Sequence, residues 1–162
     1  PNMKSISFIL FTFLLFVAPI LGKIQNVYLY VRSQNQTVNG NGLYSVKERP
    51  GINYFFLGPP NHAQKLIYDD QNYYIYQQVD PHTRYYFGIQ RNILQLSKGN
   101  PQRVVMRRNG ELNFRGDDKL YAVKNIGDPI NYSKDHYAVK YYANKNNVPK
   151  HAPKVTVYAK KA

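Results

Sequence analysis

Four histidines, His62, His82, His136 and His151, are the obvious candidates for acid–base chemistry. No two of them stand four residues apart, and none belongs to a cluster with metal-ligand spacing. Two of them meeting Glu48 or Glu111 in space would form the acid–base pair a secreted nuclease needs. Nothing in the spacing selects that arrangement, and exposed loop histidine is the plainer reading. Asp69-Asp70 and Asp117-Asp118 are paired carboxylates. Each pair stands alone, whereas calcium needs several oxygen ligands in one loop, so they read as turn formers. No serine sits in a G-x-S-x-G elbow. The chain has no cysteine, which excludes a thiol nucleophile, a zinc–thiolate site and thiol redox chemistry. No catalytic residue, metal ligand or cofactor site can be named from these residues.

The other chemistry-bearing pattern is cation interleaved with tyrosine. The chain holds 16 Tyr and 8 Phe and no Trp. Tyr73, Tyr74 and Tyr76 are followed by Arg84-Tyr85-Tyr86, then by Arg103, Arg107 and Arg108, and later by Lys140. A tyrosine ring stacks on a flat ligand while a neighbouring cation holds an anion. These ten residues are therefore the expected contacts for a polyanion or a sugar. A solvated outer face would carry the same pattern. Two N-x-[ST] sequons, Asn35-Gln36-Thr37 and Asn131-Tyr132-Ser133, lie in polar, turn-like sequence, so Asn35 and Asn131 are glycosylation candidates.

The first residues say where this chemistry would take place. Met3-Lys4-Ser5 precedes an apolar run from Ile6 to Leu21 and then Gly22-Lys23. A positive flank, a short apolar core and a small residue describe a secretory signal peptide over residues 1–22. Residues 23–162 would then be one secreted domain, with no transmembrane segment once the leader is cleaved. The closing Ala159-Lys160-Lys161-Ala162 has no apolar tail of the kind that directs a lipid anchor. With Lys4 removed, 21 basic residues against 9 acidic ones leave a charge of +12. Such a field attracts polyanions. Outside the cell these are cell-wall polysaccharide or anionic glycan, and no nucleic-acid partner is expected in vivo.

Period-two alternation dominates the elements that must position these residues. Val27, Leu29 and Val31 alternate with Tyr28, Tyr30 and Arg32. Strand-like runs follow at short intervals, separated by Asn39–Gly42, Gly58–Asn61, Asp69–Asn72, Arg91-Asn92 and Asn109-Gly110. Asn109-Gly110, between Arg103–Arg108 and Glu111–Phe114, is the clearest hairpin signal, because both turn positions favour positive φ. No window has a helical period apart from the leader. About ten short strands predict an all-β, single-domain antiparallel sandwich or barrel, with a β-trefoil as the alternative.

Asn53–Gly58, Leu66–Asp70, Asn92–Leu96 and Lys119–Asn125, in this order behind a leader, resemble small secreted fungal cell-wall proteins of the PhiA-like type. The resemblance implies a β-rich domain associated with the wall, without a recognised catalytic site. The expected function is thus a non-enzymatic, basic, secreted domain with a structural or adhesive role at the wall. A lectin-like carbohydrate-binding module is the first alternative. A secreted hydrolase such as a ribonuclease, or a cationic toxin, is the second.

Overall fold

The computed structural model describes residues 23–162. The leader read in residues 1–22 lies outside the described residues. Twelve strands follow: β1 (Ile24–Arg32), β2 (Gly42–Arg49), β3 (Ile52–Gly58), β4 (Lys65–Asp69), β5 (Tyr74–Asp80), β6 (Thr83–Gln90), β7 (Ile93–Lys98), β8 (Val105–Met106), β9 (Leu112–Asn113), β10 (Leu120–Val123), β11 (Ala138–Tyr141) and β12 (Lys154–Lys161). Among the described residues helix is confined to three short 3-10 turns, and no helix is long and apolar enough to cross a membrane.

The ladders run β1-β4-β5-β6-β7-β3-β11-β10-β12 and return to β1, a closed antiparallel barrel of nine strands. The sandwich branch of the expectation is thereby replaced by the barrel. The connectivity is threefold. Each third of the chain supplies four strands, whose inner two form a hairpin: β2–β3, β6–β7 and β10–β11. The second strands of the three hairpins pair with one another, β3 with β7, β7 with β11 and β11 with β3, closing one end as a triangle. The outer strands join neighbouring thirds through β4–β5, β8–β9 and β12–β1. This is the β-trefoil arrangement.

Alternation places the core. Val27, Leu29 and Val31 of β1 and Val155, Val157 and Ala159 of β12 all point inward and are buried. At the centre Phe87 packs between Phe55 (5.8 Å) and Phe114 (5.2 Å). Aromatic contacts at these separations add to plain burial.

Of the two hairpin turns read from the sequence, one holds and one differs in type. Arg91 and Asn92, with φ of 50° and 66°, form the two-residue hairpin turn between β6 and β7. Asn109-Gly110 does not: only Gly110 has positive φ, at 86°. Gly110 donates its N–H to Arg107 and Arg107 donates to Glu111, both at 2.9 Å. That is a three-residue loop with a glycine bulge. The ladder of β8–β9 is only two residues long on each side, because Gly110 is instead held against β12 by the Ala159 N–H, 2.7 Å from its carbonyl.

Candidate functional site

The groups that would be needed for acid–base catalysis are dispersed. His62 meets Tyr44 edge-on, and His136 stacks on Tyr132 with centroids 4.0 Å apart. His82 and His151 are exposed on separate loops. Glu111 reaches only Arg107, at 4.0 Å. The Asp69 carboxylate accepts the side-chain amide of Asn72 and the main-chain N–H groups of Gln71 and Asn72, which hold it below the usual aspartate range. Asp117 likewise accepts the Phe114 N–H. Both carboxylates are engaged in turns. Among the described residues no three His, Asp or Glu side chains are grouped to hold a metal ion.

Glu48 and Asp128 form a buried carboxyl pair that the sequence did not announce. A bulge in β2 between Lys47 and Arg49 turns Glu48 out of the strand's alternation, as bulges do when they re-aim a side chain. Glu48 accepts the Ile130 N–H at 3.1 Å. Asp128 accepts the Ser133 hydroxyl and the N–H groups of Tyr132 (2.9 Å) and Ser133 (3.2 Å). Burial first, and then the hydrogen bond to Asp128, push Glu48 up to about 7. Burial also acts to raise Asp128, but hydrogen bonds from Glu48, Ser133 and the main chain outweigh it and hold Asp128 below its usual value. Burial beside Asp128 thus favours the protonated form of Glu48, while its hydrogen bonds favour the ionised form of Asp128. The pair fastens the loop carrying Tyr132, whose hydroxyl lies 2.8 Å from that of Tyr44. These groups are tied to one another, which fits a structural role.

The ten expected contact residues fall into two groups of four and two single positions. Tyr73, Arg103, Arg107 and Arg108 come together at the end of the barrel where β4, β8 and β12 meet. Tyr73 has φ of 61°, and its carbonyl accepts the Val104 N–H at 2.9 Å. The Arg103 guanidinium covers its ring at 4.1 Å. The Tyr68 hydroxyl bridges the Val104 carbonyl and the Met106 N–H, both at 3.2 Å, and so fixes β8. Beside it opens a groove of about 940 Å³, into whose wall Arg107, Arg108, Lys160 and Lys161 project. Among the described residues Asp70 is the only carboxylate lining it, and Asp70 already accepts the Lys23 N–H. Cations from two distant chain segments thus converge with little opposing charge.

Tyr74, Tyr76, Arg84 and Tyr86 form a second patch on the outer face of β5–β6. Tyr86 packs on Tyr74 (5.5 Å) and Tyr76 (6.0 Å), and Arg84 covers Tyr76 at 4.3 Å. Tyr76 is only 3% exposed, so its face is spent inside the protein. Tyr85 lies on the opposite side of the strand and packs against the core. Tyr76 thus has little ring surface left uncovered, and the half-buried Tyr85 faces the other way from Tyr86. Lys140 is remote from both patches and lies 5.3 Å from the Tyr142 ring.

A third surface escaped the sequence reading. Tyr30 of β1 and Tyr158 of β12 are register partners with rings 5.7 Å apart. Arg32 lies over Tyr158 at 4.3 Å, and Lys160 over Tyr30 at 5.2 Å. The outer face of the two terminal strands is therefore a ladder: Lys160, Tyr30, Tyr158, Arg32. The Tyr/Arg alternation of β1 was visible; its pairing with the last strand was not.

No family model and no solved structure matches the chain. Curated relatives do. The chain is 34% identical over 144 residues to cell wall protein RHD3 of Candida albicans, covering 86% of this chain and 67% of the relative. Cell wall protein PGA30 of the same organism is 34% identical over 146 residues, 88% of this chain and 52% of that protein. Cell wall protein PGA31, also from Candida albicans, is 38% identical over 123 residues, 74% and 42% of the two chains. The chain belongs to this family of fungal cell wall proteins. The chain spans about half the length of PGA30 and somewhat less of PGA31.

Family membership places the trefoil domain at the fungal cell wall. Asn35 and Asn131, the asparagines of the two sequons, are both exposed.

Proposed function

We propose that this is a secreted, non-enzymatic domain, residues 23–162, held in the cell wall by charge and tyrosine contacts with anionic wall glycan. The leader over residues 1–22 would direct export, and Asn35 and Asn131 would carry glycan. One observation carries the reading: Arg107, Arg108, Lys160 and Lys161 converge on one groove beside the Arg103–Tyr73 stack. Their charge adds to a domain already strongly basic, and steering by such a field needs no deep pocket. The dispersed histidines and tied-up carboxylates support a structural or adhesive role over hydrolysis, as do relatives named as wall proteins.

Salt extraction tests this. Walls isolated from a fungus expressing the full chain are washed at rising sodium chloride. Exposed charges are screened over about 10 Å at 0.1 M salt and about 3 Å at 1 M. Release across that range supports charge-based retention. Protein found only in the medium at low salt contradicts it. Retention that survives 1 M salt but yields to a neutral oligosaccharide favours a lectin-like module instead.

A further inference from the structure

The groove at Arg107–Arg108 does not stand alone. Lys160 belongs both to its wall and to the Lys160–Tyr30–Tyr158–Arg32 ladder. At the far end of that ladder Arg32 lines a second groove with Lys154, Thr156 and Ser33. Antiparallel pairing of β1 with β12 fixes this order, since Tyr28 faces Lys160 and Arg32 faces Thr156. From Lys154 to Lys160 is about 20 Å at the usual strand rise, the length of several sugar units.

The charge along this path has one sign. β1 and β12 contain no Asp or Glu, and among the described residues no carboxylate lines the second groove. Glu111 bridges to Tyr158 from the neighbouring strand, but its carboxylate is directed to Arg107. Between the two cationic ends lie half-buried tyrosine rings, which give a flat amphipathic floor.

We infer that the outer face of β1–β12 is a track for one linear polyanionic glycan, spanning from the Arg107–Arg108 groove across Tyr30 and Tyr158 to the Arg32–Lys154 groove. The inference rests on the wall-glycan reading above and adds a path, a length and a ligand class to it. The cations would take the acidic groups, and the rings would take the sugar faces between them. An acidic group supplied as a carboxylate or as a phosphodiester satisfies the same contacts.

Two binding modules on one rigid face predict a length effect, because the second contact becomes intramolecular. Calorimetry on the secreted protein would compare an oligogalacturonate too short to span both grooves with one that spans them. A phosphomannan oligosaccharide of spanning length serves as the phosphodiester arm, and a neutral glucan of equal length as control. The spanning carboxylate or phosphodiester chain should bind about a hundredfold tighter than the short one, within the range expected of linked contacts. Whichever of the two binds names the acidic group; binding by neither overturns the inference. Arg32→Ala with Lys154→Ala should cut the long-chain advantage about tenfold, and Arg107→Ala with Arg108→Ala should do the same. All four side chains are exposed, and melting curves verify that the variants fold. Equal affinity for short and long chains, or a long-chain affinity indifferent to the Arg32–Lys154 pair, would overturn the track. Salt-dependent wall retention alongside that result would leave the retention reading standing.

Discussion

Tyr30 and Tyr158 face each other across the junction of the first and last strands, with ring centroids 5.7 Å apart and a cation beyond each ring. The relationship joins the two ends of the described domain and closes the barrel at the same place. It also gives the outer face an aromatic floor flanked by positive charge. Stability and the proposed glycan contact therefore draw on the same pair.

Replacing Tyr158 separates the two contributions. Tyr158→Ala removes an aromatic pair and a cation–π contact, each contributing about 1 kcal/mol. The expected loss is about 2 kcal/mol of unfolding free energy in urea, with the m-value unchanged. Tyr158→Phe keeps both ring contacts and should remain within about 0.5 kcal/mol of the parent. Equal losses for the two variants would show that the hydroxyl, not the ring, does the stabilising.

Gly110 ties the arginine turn to β12. It has φ of 86°, and an added Cβ would collide with the Ala159 carbonyl oxygen. Gly110→Ala combines left-handed strain with overpacking, a cost of about 3 kcal/mol. Thermal melts check the loss. Because Arg107 and Arg108 sit on this turn, polyanion affinity should fall in the folded variant as well.

The Glu48–Asp128 pair gives the fold a pH signature. Folded Glu48 keeps its proton up to about pH 7, whereas the unfolded chain releases it near the ordinary glutamate value of 4.5. The folded state thus holds an extra proton between these values. That stabilisation is complete below the unfolded value and is lost as pH rises through about 7. Asp128 runs the opposite way. Its folded value is depressed, so its contribution is present above the ordinary aspartate value and is lost as pH falls through the lower folded one. The melting temperature should therefore be highest in mild acid. It should decline between about pH 5 and about pH 7.5, by on the order of 2 kcal/mol in stability. Glu48→Gln, which keeps a donor toward Asp128, should flatten that decline. A slope unchanged by the substitution would place its origin elsewhere.

Asn35 lies in the lining of the Arg32–Lys154 groove, exposed on a turn where its side-chain oxygen accepts the Thr37 N–H. A glycan attached there would occupy the same space as an incoming acidic chain. Asn35→Gln, or enzymatic removal of the glycan, should raise affinity for a long oligogalacturonate. The corresponding change at Asn131, which lies outside both grooves, should leave that affinity unaltered.

Local pattern made the strands legible. The alternation in β1 and β12, the Arg91-Asn92 turn and the inward valines can be read from a few adjacent residues. The same period-two rule shows that Tyr85 and Tyr86 face opposite ways. Long-range register was not legible. Glu48 meets a loop 80 residues later through a bulge, and Lys160 meets Tyr30 only once the barrel closes. Nothing local distinguishes either partner from an ordinary charged surface residue. The Asn109-Gly110 turn shows the intermediate case: a turn was evident, but contact with Ala159 selected its type.

The most direct test of charge-based retention is the binding of purified protein to isolated walls across a salt series, with Arg107→Glu and Arg108→Glu compared against the parent. Reversing two exposed charges should leave the fold intact and shift half-release to clearly lower salt. The largest difference should lie near 0.1 M, where screening extends only about 10 Å. Identical release curves for the parent and the double variant would contradict the assignment of retention to this groove.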